Sequence, residues 1–341
     1  MRKIEIKPSR LVGFIERFFG QRVLVLGDFM VDRYIFGEAT RISPEAPVPV
    51  VNVHRIEHRL GGAANTIHNI VSQGGAVNAI GIVGEDDEGK WLVNNLRRIG
   101  VDVAGIVIDK DRPTTCKTRV MVGHHQIVRF DYEITDEINE STEQRILDFI
   151  KKKIDYVDCL AISDYDKGLI TTKLIKSLVK MASKKGKLII VDPKIRHHLD
   201  YRGITILKTN IYNASIVTGI SPSNIENIAE IGSFLLKNLR SKGVIVTCGK
   251  DGMIVLDDNS HVIHIPAFAK QVYDVTGAGD VVTATLTLAL SAGATLKDAA
   301  LLSSVAAVIK VGKVGTASVT SKEIKELLDS MNNPLTIYDV W

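Results

Sequence analysis

Cysteine is scarce and scattered in this chain. Cys116, Cys159 and Cys248 are the only three, and their wide separation excludes both a metal knuckle and a disulfide scaffold. Cys159 and Cys248 lie in the apolar runs CLAIS and VIVTC, which reads as reduced core cysteine. Long hydrophobic runs are missing too: the most apolar stretch, about residues 281–296, is broken by Thr, Ser and Gly, so it is no membrane span. The opening MRKIEIKPSR sets charges among its first apolar residues and leaves no room for a signal-peptide core. A soluble, cytoplasmic protein without a membrane partner is the expectation. Charge of one sign is also lacking. Forty-three Lys and Arg against 39 Asp and Glu leave a formal net charge of +4. No basic block with interleaved aromatics occurs, which argues against a nucleic-acid partner. Lys151-Lys152-Lys153 sits in a helical pattern and reads as a solvated face. Repeats, low-complexity segments and an obvious boundary are absent, so residues 1–341 are expected to form a single domain with a lid.

What the chain does have is ordinary core-forming composition, 45% hydrophobic and 24% charged, and an alternation of β-rich and helical runs. RVLVLGD (22–28), VNAIGIVG (77–84), YVDCLAIS (156–163), KLIIVD (187–192), ITILKTN (204–210) and GVIVTCG (243–249) are strand candidates. Several are continuous in Val, Ile and Leu, as parallel strands covered on both faces require. Thr171 or Thr172 can cap the helical run that ends at Gly186, Ser223 with Glu226 fits a capping box, and Thr295 with Asp298 resembles one. The fold class is therefore α/β, a doubly wound and mostly parallel sheet. Two segments break the alternation. Residues 33–57 carry Pro44, Pro47 and Pro49, and residues 103–132 read as extended pieces around Gly123-His124-His125. Both are expected to form a small β-sheet lid beside the main sheet.

Some motifs imitate function. GEDDEGKW (84–91) has the frame of a phosphate loop. Its last position is Trp91, which has no hydroxyl for magnesium, and four acids within it would repel a triphosphate. VLVLGDFMVD and GAGDVV both fall short of a dinucleotide fingerprint. The adjacent pairs His124-His125 and His197-His198 would point to opposite faces of a strand, which disfavours a shared metal and suggests surface loops.

Carboxylates at strand ends are more suggestive. Asp28 ends VLVLGD with Asp32 four residues on, Asp164 follows YVDCLAIS, and Asp192 ends KLIIVD. Open parallel sheets bind ligands at these ends; each acid alone is equally an N-cap, but their recurrence beside LGGAAN (60–65) points to a site for a hydroxyl-rich ligand. Finally, YDVTGAGDVVTATL (273–286) sets one carboxylate, Asp280, just after Gly277-Ala278-Gly279 and ahead of an uncharged helical run. A helix N-terminus attracts anions, and a first-turn Asp alone also stabilises a helix.

DVTGAGD (274–280) with its small-residue helix, together with GGAAN (61–65), resembles the two signatures of the ribokinase-like (PfkB) sugar kinases, and the resemblance runs from about residue 10 to about 328. Within that family GDFMVDRYIFGEATRISPEAPVPVV (27–51), LGGAANTIHNI (60–70), SDYDKG (163–168), VDPK (191–194), VYDVTGAGD (272–280) and VGKVGTASV (311–319) are similar to the branch that phosphorylates the anomeric hydroxyl of D-glycero-D-manno-heptose 7-phosphate in ADP-heptose synthesis. RISPEAPVPVV marks that branch. Its bifunctional members carry a nucleotidyltransferase half with an HxGH motif that this chain lacks, so only the kinase reaction is implied.

The resemblance implies ATP and Mg²⁺, with Asp280 as the base and Gly277, Ala278 and Gly279 as the anion hole. Asp28, Asp32, Gly61, Gly62 and Asn65 would meet sugar hydroxyls, with Asp164 at a strand end beside them. Arg41, Lys117, Arg129, Lys167 and Lys194 are candidates for a sugar phosphate, which needs cations. Thr247, Gly249 and Gly252 in TCGKDG resemble the nucleotide loop, with Ser304 near the adenine. Lys208 and Asn210 would approach phosphates and magnesium, Asn210 through water. A lid that closes would exclude water as a competing acceptor and, in relatives, pairs two subunits, so a homodimer through the lid is expected. The family also allows a monovalent cation near 314–319. Two departures stand out: Asn213 replaces the Glu of an N-x-x-E motif that orders magnesium, and Ser304 replaces an Asn. Other acceptors (ribose, fructose, a ketose phosphate, a nucleoside) and a non-catalytic sugar or nucleotide sensor are the alternatives; an NAD-dependent oxidoreductase lacks its fingerprint.

Overall fold

The computed structural model describes residues 1–259, 261–269, 272–313 and 315–340. The chain opens with β1 (Arg2–Ile6), α1 (Ser9–Glu16) and β2 (Arg22–Gly27). Two long strands follow, β3 (Phe29–Ile42) and β4 (Pro49–Gly62), then α2 (Ala63–Ser72), β5 (Ala76–Gly84), α3 (Asp87–Arg98) and β6 (Asp102–Asp109). A hairpin of β7 (Thr115–Val122) and β8 (His125–Tyr132) leads to α4 (Glu140–Lys153), β9 (Cys159–Ser163), α5 (Thr172–Lys184) and β10 (Leu188–Asp192). Next come β11 (Ile206–Asn210), α6 (Ile211–Thr218), α7 (Ile225–Leu239), β12 (Gly243–Thr247), β13 (Met253–Asp257) and β14 (Val262–Ile265). The chain closes with α8 (Ala278–Ser291), α9 (Leu296–Val311), α10 (Ser321–Ser330) and β15 (Leu335–Asp339).

Among the described residues the large sheet has eleven strands in the order β1-β15-β14-β13-β12-β11-β10-β9-β2-β5-β6. The run from β6 to β12 is parallel and the remaining strands are antiparallel. From β2 the chain winds outward to β5 and β6 on one side, then returns to β9 and beyond on the other. The switch lies between β2 and β9, where a ligand crevice belongs. Asp28 N–H bonds to the Ser163 carbonyl at 3.2 Å across it.

The predicted strands all form, one to three residues shorter at several ends. All residues of β9 are buried, which is why such strands read as unbroken apolar runs. One hydrophobic cluster lies under α2, α8 and α9, and a second under α4, α5 and α7. In α8 everything from Asp280 to Ala289 is buried, so the segment lacks a polar stripe. Among the described residues no helix is long and apolar enough to cross a membrane.

Thr171 caps α5 by accepting the Leu174 N–H, and Thr295 caps α9 by accepting the Asp298 N–H. The expected box at Ser223 is displaced by one residue: Asn224 caps α7 by accepting the Asn227 N–H, and Ser223 donates to the Asn227 side chain instead. Asp86, within the rejected phosphate-loop imitation, caps α3 through the Gly89 N–H at 2.8 Å and also binds the Thr114 N–H and hydroxyl. Asp86 is thus explained by helix capping, with Asp87 and Glu88 in the first turn of the helix it caps.

The second sheet has the order β4-β3-β7-β8. It takes residues 29–62 and 115–132, not the full 103–132 segment. Residues 102–109 pair in parallel with β5 and form the edge of the large sheet, since their alternating apolar side chains cover β5 and α4.

Candidate active site

α8 begins at the crevice. Gly277 caps it with φ of 76°, a left-handed conformation that costs a residue with a Cβ roughly 1–2 kcal/mol. A Cβ here would also lie 2.7 Å from Asn65 Nδ2. The Ala278 N–H turns back to the Val275 carbonyl at 3.1 Å. Of the expected Gly277-Ala278-Gly279 hole the Ala278 N–H is therefore engaged, while the first turn adds the Asp280 N–H to that of Gly279 as donors left by the helix.

Asp280 is buried beside them. One carboxylate oxygen accepts from Asn65 Nδ2 at 2.6 Å, and the other accepts from the Tyr165 hydroxyl. Asn65 is held in turn by Asn69, whose Oδ1 accepts the Val319 N–H at 3.0 Å. Burial pushes the Asp280 pKa up to about 6, against the two donated hydrogen bonds, which favour the ionised form. A carboxylate with that pKa is ionised near neutrality yet basic enough to take a hydroxyl proton. Asn65, expected on a sugar hydroxyl, donates to this acid.

Lys208 reaches the same turn from the end of β11. Its ammonium is buried, pairs with Asp192 Oδ2 at 2.6 Å, and lies 3.0 Å from where a Cβ on Gly279 would sit. Thr283 of α8 donates to the same Asp192 oxygen at 3.1 Å. The expectation that Lys208 approaches a phosphate thus meets a cation placed at the helix N-terminus.

Other strand-end acids face inward. Asp28 accepts from the Tyr165 and Lys167 N–H groups at 2.7 and 3.3 Å. Burial, then the neighbouring Asp164, pushes its pKa up to about 7. Asp164 accepts from the Asp166 N–H at 2.9 Å and from the Tyr201 hydroxyl at 2.9 Å. Both acids therefore fasten the 164–168 loop. Besides the ligand role expected of them, they satisfy backbone donors in that tight loop. The His197-His198 pair is buried and not a surface loop: His197 Nδ1 lies 3.4 Å from Asp164, and His198 Nε2 is 3.0 Å from Thr209 Oγ1. Burial pushes His198 down to about 4.

On the inner face of the second sheet, Asp32 binds Arg119, and Arg119 and Arg59 lie over the Tyr34 ring at 5.3 and 4.8 Å. Gly61 leaves space for Asp32, since a Cβ there would be 2.6 Å from its Oδ2. Gly62 caps α2. Lys117 pairs with Asp131 at 2.7 Å and Glu133 at 3.4 Å, and Lys167 pairs with Glu133 at 2.6 Å. Glu133 thus ties the sheet to the Tyr165 loop. Arg129 forks onto Asp131, and the Lys194 ammonium is 5.2 Å from the Tyr165 ring centre. Arg41 is not brought to this group. It is exposed and stands nine residues beyond Asp32 on β3, roughly 30 Å along an extended strand.

Asn210 caps α6 through the Asn213 N–H at 2.8 Å, and Asn213 is buried against the Pro193 carbonyl. Thr247 ends β12 and binds the Thr209 carbonyl at 3.2 Å, and Gly249 and Gly252 bracket the turn beyond it at φ of 58° and 86°. Ser304 is buried in the middle of α9. The cation segment expected near 314–319 includes Val314, which lies outside the described residues.

Tyr165 and Arg119 were missed. SDYDKG held the tyrosine in view, but nothing in its spacing shows that its loop folds back on residue 280. Arg119 lies in an alternating strand whose facing partner only the β3–β7 register reveals.

The sequence model of the pfkB family carbohydrate kinases matches residues 21–323. Bifunctional protein HldE of Helicobacter hepaticus is 40% identical over 318 residues, 93% of this chain and 66% of that protein. Bifunctional protein HldE of Geobacter sulfurreducens is 42% identical over 301 residues, 88% of this chain and 61% of that protein. The chain thus spans under two thirds of the length of these relatives. Among solved structures, Arabidopsis thaliana ribokinase complexed with ribose and ATP superposes with a TM-score of 0.74 at 19% identity, covering 92% of this chain and all of that one. Phosphofructokinase-2 of Escherichia coli in complex with potassium gives 0.77 at 19% identity, over 91% of this chain and 99% of that one. Those two likenesses establish the ribokinase-like fold, and the match over residues 21–323 establishes the lineage: the chain belongs to the pfkB family of carbohydrate kinases.

Proposed function

We propose that this chain transfers the γ-phosphoryl group of ATP to the anomeric hydroxyl of D-glycero-D-manno-heptose 7-phosphate. The observation that carries the chemistry is the buried Asp280 carboxylate at the α8 N-terminus, oriented by Asn65, with the Lys208 ammonium beside it. The acceptor hydroxyl takes the place of the Tyr165 hydroxyl on Asp280. Its proton passes to the carboxylate as its oxygen attacks phosphorus, and the O–P bond to ADP breaks. The Gly279 and Asp280 N–H groups and Lys208 meet the charge spread over the transferring oxygens. RISPEAPVPVV supports the heptose acceptor, as does similarity to the bifunctional relatives. Lys117 and Lys167, converging on Glu133 above the Tyr165 loop, are the cations for its 7-phosphate. Thr247 and the turn between Gly249 and Gly252, with Ser304, would face the nucleotide.

Among the described residues no group of three or more His, Cys, Asp or Glu is placed to hold a metal alone. That fits Mg²⁺ carried on ATP phosphates, which keeps several waters and needs few protein ligands. Asp192 would hold it through water, with Asn210, and the ion would neutralise phosphate charge. Exposed Val53, Ile56, Val128 and Phe130 on the second sheet support a homodimer through that layer.

The test is incubation with Mg-ATP and heptose 7-phosphate, fructose 6-phosphate, fructose 1-phosphate, ribose or adenosine, following ADP and phosphorylated product, with Asp280→Asn as control. Turnover on heptose 7-phosphate, lost in the variant, is expected. Turnover only on another sugar sinks the heptose assignment, and nucleotide binding without turnover on any sugar sinks the kinase.

A further inference from the structure

Lys310 is a charged side chain that the reaction above does not use. It lies in the last turn of α9 and is wholly buried. Lysine almost never occupies such a position unless it is paired, yet among the described residues no carboxylate lies within ion-pairing distance of it. Its ammonium donates to the Lys313 carbonyl at 3.3 Å. Burial lowers its pKa, while Asp274 and Asp280 raise it and Lys313 and Arg59 lower it further. Burying a charge is costly unless it is paired and hydrogen-bonded, so its place in the fold matters.

That place is the junction behind the α8 turn. The Tyr273 and Asp274 N–H groups both bond to the Val311 carbonyl, at 2.8 and 3.2 Å, which ties the approach to α8 onto the end of α9. The Asp274 carboxylate spans the junction, accepting the Thr276 N–H at 2.8 Å on one side and the Gly315 N–H at 2.7 Å on the other. Thr316, next along, has its Cγ2 3.6 Å from where a Cβ on Gly277 would sit. The approach to α8, the cap residue, Gly315 and Thr316 therefore meet near one carboxylate. The Asp274 charge favours the protonated form of Lys310, and the ammonium donates to Lys313, two residues before Gly315.

We propose that Lys310 is a positioning residue, an internal cation that holds Lys313 and Gly315 against the 273–277 turn so that the Gly279 and Asp280 N–H groups stay aimed at the transferring phosphoryl group. The inference rests on the kinase reading of that turn. It assigns Lys310 no contact with substrate; its effect runs through Asp274, Gly315 and Gly277. Such a role acts on the transition state rather than on ground-state binding, so it appears in kcat and not in KM. The charge is also a small cation that a solute could replace once the side chain is shortened and neutral.

Lys310→Met is assayed with Mg-ATP and the acceptor that the unmodified protein turns over, alone and with ammonium, methylammonium or tetramethylammonium chloride at equal ionic strength. The expected result is a tenfold or greater loss of kcat with both KM values within twofold. Ammonium should restore at least a third of the loss on a logarithmic scale, while the bulky tetramethylammonium restores none. Ammonium should also raise the Tm of Lys310→Met and leave that of the unmodified protein unmoved, a readout independent of turnover. An unchanged kcat, or a loss that no amine restores and no Tm shift accompanies, overturns the inference. Should Lys310→Met not fold, Lys310→Arg decides: its larger head displaces the charge, so a reduced kcat that ammonium leaves unchanged supports the role, and an unaltered kcat overturns it. An unmodified protein that turns over no sugar refutes the kinase reading instead, and the ammonium-dependent Tm of Lys310→Met still reports on the junction.

Discussion

At the α8 N-terminus every ionisable group is held by partners from distant parts of the chain: Asp280 by Asn65 and Tyr165, and Lys208 by Asp192 with Thr283 behind it. Across the four-stranded layer the pairing runs mostly within one strand or between neighbouring strands, as in Asp32 with Arg119. Arg129 takes Asp131, Arg59 takes Glu57, and Lys117 takes Asp131 from the neighbouring strand. The first region is buried, and the bonds of Asp280 to Asn65 and of Lys208 to Asp192 are in place before any ligand arrives, as charge stabilisation in a transition state requires. The second is partly solvated, its ion pairs are individually weak, and a phosphate can exchange for Asp131 or Glu133 at modest cost. The contrast separates a region that performs the transfer from one that selects what receives it.

The largest way to break this division is Asp280→Asn. An amide cannot accept the proton, while Asn65 and Tyr165 can still hold it in place, so kcat should fall about 10²–10⁴-fold with an unchanged Tm. A comparable Tm loss would mean that Asp280 serves the fold. Next is Lys208→Met. It removes a cation from the turn and leaves Asp192 unpaired beside Asp280, so kcat should drop about 10²–10³-fold; a change confined to the KM for ATP would place Lys208 in ground-state binding.

The selecting layer predicts the opposite split. Lys117→Ala should raise KM for a phosphorylated acceptor about tenfold, the loss of one charge-assisted contact, while kcat stays within about twofold. Unphosphorylated sugars should not notice the change. A fall in kcat for every acceptor would show that the layer also shapes the chemistry, which the Glu133 bridge to Lys167 makes a real alternative.

How much of this was legible in the sequence follows the same division. The α8 turn is built from consecutive residues, and glycine, a carboxylate and an apolar helix at fixed spacing carry their physics with them. The strands were legible because burial on both faces makes them continuous. What the spacing of Asp28 and Asp164 did not announce is three-dimensional: a tight loop with Asp166 at φ of 58° presents backbone donors to both acids. Residues 103–109 were placed in the wrong sheet because an extended run looks the same in either. Arg41 looked like a phosphate ligand among other cations, and only the length of β3 removes it.

Tyr165 sharpens the comparison at its boundary, because its loop is tied to the layer through Glu133 and to the base through its hydroxyl. The hydroxyl donates to Asp280 and so favours the carboxylate form, lowering a pKa that burial has pushed up to about 6. The base must be ionised to act, so kcat/KM should rise with pH through about 6 and level off above it. Tyr165→Phe removes the donor, the Asp280 pKa rises, and the acidic limb of that profile moves to higher pH. At pH 8, where both proteins are ionised, the variant should stay within about threefold of the unmodified enzyme, since the acceptor hydroxyl no longer has a tyrosine to displace. The kcat/KM profile between pH 5 and 9 is the check. A limb that stays in place, with activity lost equally at every pH, would make Tyr165 a contact of the acceptor and move it from the base's partners to the selecting layer.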